Sequence, residues 1–125
     1  MQQRSILVVE DDVVLCTAVG SALKRRGYDT RTAHSVSVGI KLAKERLPEL
    51  LILDINLPDG LGWSVLDDIR SAYPDNNMSV LVATSQSVTR SQLRAYQVQR
   101  YISKPFDLNH LLEVVEKFLP NSMNS

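Results

Sequence analysis

Apolar residues fall along this chain in two alternating rhythms. Ser5-Ile6-Leu7-Val8-Val9 is a continuous apolar run, which predicts a strand buried on both faces. Val13 to Arg26 then follows helical spacing. Leu15, Ala18, Val19, Ala22 and Leu23 recur at i, i+3, i+4, i+7 and i+8, and Gly27 supplies a stop. Tyr28 to Ala33 reads as a more polar strand near a sheet edge. Ser35 to Arg46 reads as a second helix capped by Ser35. Leu50-Leu51-Ile52-Leu53-Asp54 is the most apolar strand and is placed centrally. Gly62 to Ala72 is a third helix, and Ser79 to Ala83 a fourth strand. Arg100 to Ser103 makes a short fifth strand. Asp107 caps a last helix carrying Leu111, Leu112, Val115, Phe118 and Leu119.

Strand and helix thus alternate five times. Each connection is long enough for a right-handed crossover, which predicts an α/β fold with a doubly wound, five-stranded parallel sheet and helices on both faces. In such sheets ligands bind beyond the carboxyl ends of the strands. The stretch from Ser85 to Gln99 breaks the rhythm. Val88, Leu93, Ala95, Tyr96 and Val98 make no clean stripe, so the fourth helix is expected to be short, irregular or mobile. The domain is expected over residues 1–119, with residues 120–125 a polar tail or the start of a linker. Its start within a few residues of Met1 suggests an N-terminal place in its protein.

A length of 125 residues suits one domain. Aromatics are only 6% of the chain, so the core must be mainly aliphatic. The 14 basic and 14 acidic residues cancel, which gives no electrostatic reason to expect direct nucleic-acid or membrane-surface binding. No apolar run approaches the ~20 residues that span a bilayer. Cys16 is a lone cysteine on a helical stripe and reads as core packing. A cytoplasmic location is the expectation.

The chemistry lies just past the strand ends. The first strand runs into Glu10-Asp11-Asp12, the third ends in Asp54 before Ile55-Asn56, the fourth runs into Thr84-Ser85, and the fifth into Lys104-Pro105. Carboxylates crowded at one sheet edge repel, and a hard divalent cation such as Mg²⁺ relieves that repulsion. Lys104 adds a point charge for an incoming phosphoryl oxygen, and the Thr84 hydroxyl a donor. Asp54, on the central strand, is then the nucleophile. Its in-line attack on a phosphoryl donor gives an acyl phosphate without a general base. Each residue has a plainer reading alone: Asp12 as a helix cap, Asp54 as a turn, Thr84 as a cap, Lys104-Pro105 as a loop. Their joint occurrence, each at a strand's carboxyl end, favours the chemical reading.

Taken together, Glu10-Asp11, Asp54 within Leu51-Ile52-Leu53-Asp54-Ile55-Asn56-Leu57-Pro58-Asp59-Gly60, Thr84 and Lys104-Pro105-Phe106 resemble the receiver domain of two-component response regulators, from Ile6 to Leu119. The resemblance implies the flavodoxin-like strand order 2-1-3-4-5. It implies that Asp54 receives a phosphoryl group from a phosphohistidine of a sensor histidine kinase or phosphotransfer protein. It implies Mg²⁺ (or Mn²⁺) held by Asp11, Asp54 and the backbone carbonyl of Asn56, with Glu10 acting through water. A cis peptide before Pro105 would go with an inward Lys104. Thr84 and Tyr101 would form the switch, altering the surface of the fourth helix, fifth strand and fifth helix. Asn56, Ser85, Gln86 and Pro105 would flank the pocket. An effector domain or target protein would read the state, and the resemblance allows a homodimer on phosphorylation. Such a domain is no turnover enzyme, beyond intrinsic self-phosphorylation and self-dephosphorylation.

Two departures stand out. Ser85 replaces a usual alanine, and Tyr96-Gln97-Val98-Gln99-Arg100 replaces a usual Gly-Ala stretch. Competing readings fare worse. A dehalogenase-like phosphatase needs a second aspartate where Asn56 stands. Gly60-Leu61-Gly62 lacks the third glycine of a phosphate-cradling loop. His34 and His110 are isolated, without metal-ligand spacing, and read as surface or satisfied residues. A phosphorylation-independent pseudo-receiver, acting only as an interaction module, predicts loss of the acidic pair, the aspartate or the lysine, and all are present.

Overall fold

The computed structural model describes residues 3–120. Its elements, in chain order, are β1 (Ser5–Val9), α1 (Val13–Arg25), β2 (Asp29–Ala33), α2 (Val36–Glu45), β3 (Leu50–Leu53), β4 (Asn56–Leu57), β5 (Gly60–Leu61), α3 (Trp63–Ala72), β6 (Ser79–Thr84), α4 (Arg90–Ala95), β7 (Arg100–Ser103) and α5 (Leu108–Phe118). Five strands form a parallel sheet in the order β2-β1-β3-β6-β7. With the hairpin β4-β5 set apart, this is the flavodoxin-like order 2-1-3-4-5 expected above. The polar strand lies at an edge and Leu50–Leu53 at the centre, as the pattern predicts. Of the expected tail, residues 121–125 lie outside the described residues.

The sheet is buried on both faces, and side chains alternate between them. Ile6, Val8, Leu50, Ile52, Leu81 and Ile102 pack under α1 and α5, against Val19, Leu23, Leu111 and Val115. Leu7, Val9, Leu51, Leu53, Val80 and Val82 pack on the other side, against Ala43 of α2 and Val65, Leu66 and Ile69 of α3. Continuous apolar strands therefore follow from two covered faces.

Helix ends obey local chemistry. Asp12 caps α1, accepting from the Leu15 amide at 3.1 Å. Ser35 caps α2, accepting from the Val38 amide at 3.2 Å. Asp107 caps α5, accepting from the Asn109 amide at 2.9 Å. Gly27, with φ 92°, takes the left-handed stop after α1.

Three features differ from the sequence reading. The buried stripe of α1 is Cys16, Val19, Gly20 and Leu23 with Ala22, while Ala18 is exposed. The stripe is centred one residue round from the expected one, and the side that carries Gly20 packs closely on β2, where an added Cβ would meet the Thr32 side chain at 3.1 Å. The hairpin β4-β5 was not anticipated, since two-residue strands carry no periodicity. The fourth helix is short, as expected, with six residues and none buried, yet its start is regular. Thr89 and Gln92 form a reciprocal capping box, a signal present in Thr89-Arg90-Ser91-Gln92.

Candidate functional site at the carboxyl edge of the sheet

Parallel register brings the strand ends together. Val9 pairs with Leu53, Leu53 with Val82, and Thr84 with Ser103. The next residue along each strand therefore emerges at the same edge. The Asp54 amide still donates to the Val9 carbonyl at 2.9 Å, which locks its backbone beside Glu10. Glu10 and Asp54 are each only 5% exposed, and Thr84 is fully buried. Asp11 is exposed.

Lys104 reaches inward between the two buried carboxylates. Its Nζ lies 2.8 Å from Asp54 Oδ2 and 2.5 Å from Glu10 Oε1. Charged groups this buried are stable only when paired. The Glu10 carboxylate also accepts from the Asp12 amide at 3.0 Å, and Asp54 Oδ1 from the Asn56 amide at 3.2 Å. Burial pushes the Glu10 carboxyl up to about 7, against the pull of its Lys104 bond and with help from the nearby Asp54 charge. Burial pulls the Lys104 ammonium down, but its bonds to Asp54 and Glu10 outweigh this and its pKa is raised.

Carboxylate oxygens of Glu10, Asp11 and Asp54 lie within 4.8 Å of one another, a grouping that fits a metal ion. Fully ionised, three carboxylates and one ammonium leave a double negative charge, which a divalent cation would cancel. All donors are hard oxygens, the set Mg²⁺ accepts.

The remaining expected residues lie at or near the same edge of the sheet. The Thr84 hydroxyl accepts from the Gln86 amide at 3.3 Å, while its carbonyl accepts from the Lys104 amide at 3.0 Å. Ser85, Gln86, Asn56 and Pro105 are exposed around the opening. The peptide between Lys104 and Pro105 is cis. Tyr101 is half-buried, and its hydroxyl donates to the Gln86 carbonyl at 3.2 Å, which ties β7 to the loop after Thr84. A depression of about 330 Å³, lined by Asp12, Leu15, Ser85, Lys104, Pro105 and Phe106, opens beside the lysine. A roomier one, about 460 Å³ between Arg70, Asn76 and Gln97, shares no residue with the carboxylates. His34 and His110 are exposed, as expected.

Several residues that shape the site were not singled out from sequence. Gly62 packs against the backbone of Asp54 and Ile55, and its amide donates to the Ile55 carbonyl at 2.6 Å. Asp59 bonds the start of α2. Trp63 stacks on Tyr96 with ring centroids 4.4 Å apart and planes at 20°. The Arg70 guanidinium donates to the carbonyls of Tyr96 and Gln97 at the end of α4. In the sequence Gly62 reads only as a helix start or part of a failed phosphate loop and Asp59 only as one residue of the family motif, while Trp63 and Arg70 carry no signal of their own.

The family model of the response regulator receiver domain matches residues 6–116. The chain is 32% identical over 108 residues to the photosynthetic apparatus regulatory protein RegA of Rhodobacter capsulatus, covering 86% of this chain and 59% of RegA. It is 31% identical over 119 residues to the DNA-binding transcriptional regulator NtrC of Azospirillum brasilense, covering 95% of this chain and 25% of NtrC. The non-phosphorylated HemR receiver domain of Leptospira biflexa superposes with a TM-score of 0.83 at 28% identity, covering 94% of this chain and 95% of that one. The chain belongs to the response regulator receiver domain family, the signalling domains of two-component systems. It spans little more than half of RegA and a quarter of NtrC. Among the described residues no helix is long and apolar enough to cross a membrane.

Proposed function

We propose that this domain is a phosphorylation-controlled switch whose phosphoacceptor is Asp54. The observation that carries the reading is the Lys104 ammonium 2.8 Å from the buried Asp54 carboxylate, at the edge where Glu10 and Asp11 converge. The donor is a phosphohistidine of a sensor histidine kinase or phosphotransfer protein. An Asp54 oxygen attacks phosphorus in line as the bond to the imidazole nitrogen breaks, and the electron pair leaves with the imidazole. Lys104 is already placed to accept the developing charge on a phosphoryl oxygen, and a fixed charge that need not reorganise is effective catalysis. Burial of Asp54 excludes bulk water. Asp11, Asp54 and the Asn56 carbonyl, with Glu10 through water, would hold Mg²⁺ or Mn²⁺. When bound, the ion supplies charge neutralisation at the phosphoryl oxygens.

The bond from Tyr101 to Gln86 gives the switch its resting position. Recruitment of the Thr84 hydroxyl by the phosphoryl group moves the loop that carries the Gln86 carbonyl. Tyr101 then loses its partner, and the surface of α4, β7 and α5 changes for an effector domain or target protein. Ser85, small and at the rim, leaves the approach open. Asn56 and Gln86 flank the acyl phosphate and tune its hydrolysis.

Incubation with Mg²⁺ and acetyl phosphate should add one phosphoryl mass, and Asp54→Asn should abolish the addition. No uptake by the wild-type domain would sink the reading and favour a phosphorylation-independent module.

A further inference from the structure

Asn56 lies on β4, paired only with β5: Asn56 opposite Leu61 and Leu57 opposite Gly60. This ribbon has weak means of its own. Each strand has two residues, and an isolated two-stranded ribbon is marginal in water. Its loop is Pro58-Asp59. Two-residue hairpin loops favour turns that begin with positive φ, whose twist matches the strands. Pro58 holds φ negative, and Asp59 is not among the residues of positive φ. The turn therefore opposes the pairing, and something outside the ribbon must hold it.

Leu57 provides one hold, buried in the core beside α3. Asp59 provides the other. Its Oδ1 accepts from the Val36 amide at 2.7 Å and its Oδ2 from the Ser37 amide at 3.0 Å. These are the first two orphan amides of α2, and the negative charge sits at the positive end of that helix. Ser35 satisfies the amide of Val38, so cap and carboxylate divide the helix end between them. Both carboxylate oxygens are used, which fixes the turn in orientation as well as position.

The geometry points to Asp59 as a positioning residue for the phosphoacceptor pocket: it pins the β4-β5 turn to α2 and so holds the Asn56 backbone against Asp54. The inference rests on the reading of that pocket as a divalent-metal site. Asp59 touches neither metal nor phosphoryl group. It acts through Pro58 and Leu57, the two residues between it and Asn56, so its loss loosens the backbone that presents a ligand oxygen.

Mn²⁺ binding, followed by the paramagnetic resonance signal of the free ion, tests this on wild type, Asp59→Ala, Asp59→Asn and Ser35→Ala. Ser35→Ala weakens the same helix end without touching the turn. Asp59→Ala should bind Mn²⁺ about tenfold more weakly, as when support behind a metal ligand is lost. Asp59→Asn, which keeps one acceptor oxygen, should fall between, and Ser35→Ala should bind like wild type. Wild-type affinity in the Asp59 variants, or an equal loss in Ser35→Ala, would overturn the inference. If Asp59→Ala does not fold, Asp59→Asn decides by the same criterion. Absence of Mn²⁺ binding by the wild type would overturn the pocket reading itself, and this inference with it.

Discussion

A side chain at Gly62 would place its Cβ 2.3 Å from the carbonyl oxygen of Asp54. Real Cβ atoms do not approach a backbone oxygen so closely, and backbone cannot swing away as a side chain can. Gly62→Ala should therefore lower stability by about 3 kcal/mol, the upper range for overpacking. Denaturant unfolding measures this. Phosphoryl uptake should fall as well, because the strain lands on the Asp54 peptide itself.

Lys104 is the counter-charge for two buried carboxylates. Lys104→Met would leave Glu10 and Asp54 facing each other, and should cost on the order of 2 kcal/mol in the metal-free protein, less than a fully buried pair because the lysine is partly exposed. Added Mg²⁺ should raise the melting temperature of this variant more than that of the wild type, since the ion replaces the missing charge. An equal rise in both proteins would contradict the role assigned to Lys104.

Asp59 carries a pH signature. The Val36 and Ser37 amides hold its carboxyl below the ordinary value of 3.8. A carboxyl depressed in the folded state adds stability above its unfolded pKa, and that stability is lost as pH falls through the folded value. The melting temperatures of wild type and Asp59→Asn should therefore differ at neutral pH and converge in acid, below about pH 4. A gap that stays constant with pH would mean that the charge does not contribute.

The far end of α4 rests on α3 through Trp63, Tyr96 and Arg70. Tyr96→Leu removes the stacked ring pair, worth about 1 kcal/mol, and should speed exchange of the Val98 amide about fivefold. That amide closes the helix end by donating to the Leu93 carbonyl at 2.8 Å. Trp63 is the only tryptophan in the chain, so its emission reports the same contact.

Much of this was legible in the sequence because parallel sheets impose strong patterns. Continuous apolar strands and capped amphipathic helices set the element order, and strand ends then located Glu10, Asp54, Thr84 and Lys104. What stayed hidden acts through backbone or across long separations. The close approach of Gly62 depends on where Asp54 passes, and Pro58-Asp59-Gly60 spells only a turn. The pairing of Trp63 with Tyr96 and of Arg70 with two carbonyls joins residues more than twenty positions apart, with no periodicity to betray it. Ala18 was misplaced for a simpler reason: an alanine on a helix looks apolar whichever way it faces.

The six residues of α4 include none that is buried. A helix so short does not persist alone in water, so its shape is borrowed from its neighbours at either end. Substitutions along its outer face then cost the domain little, so that face can vary while the carboxylates at the strand ends keep their places.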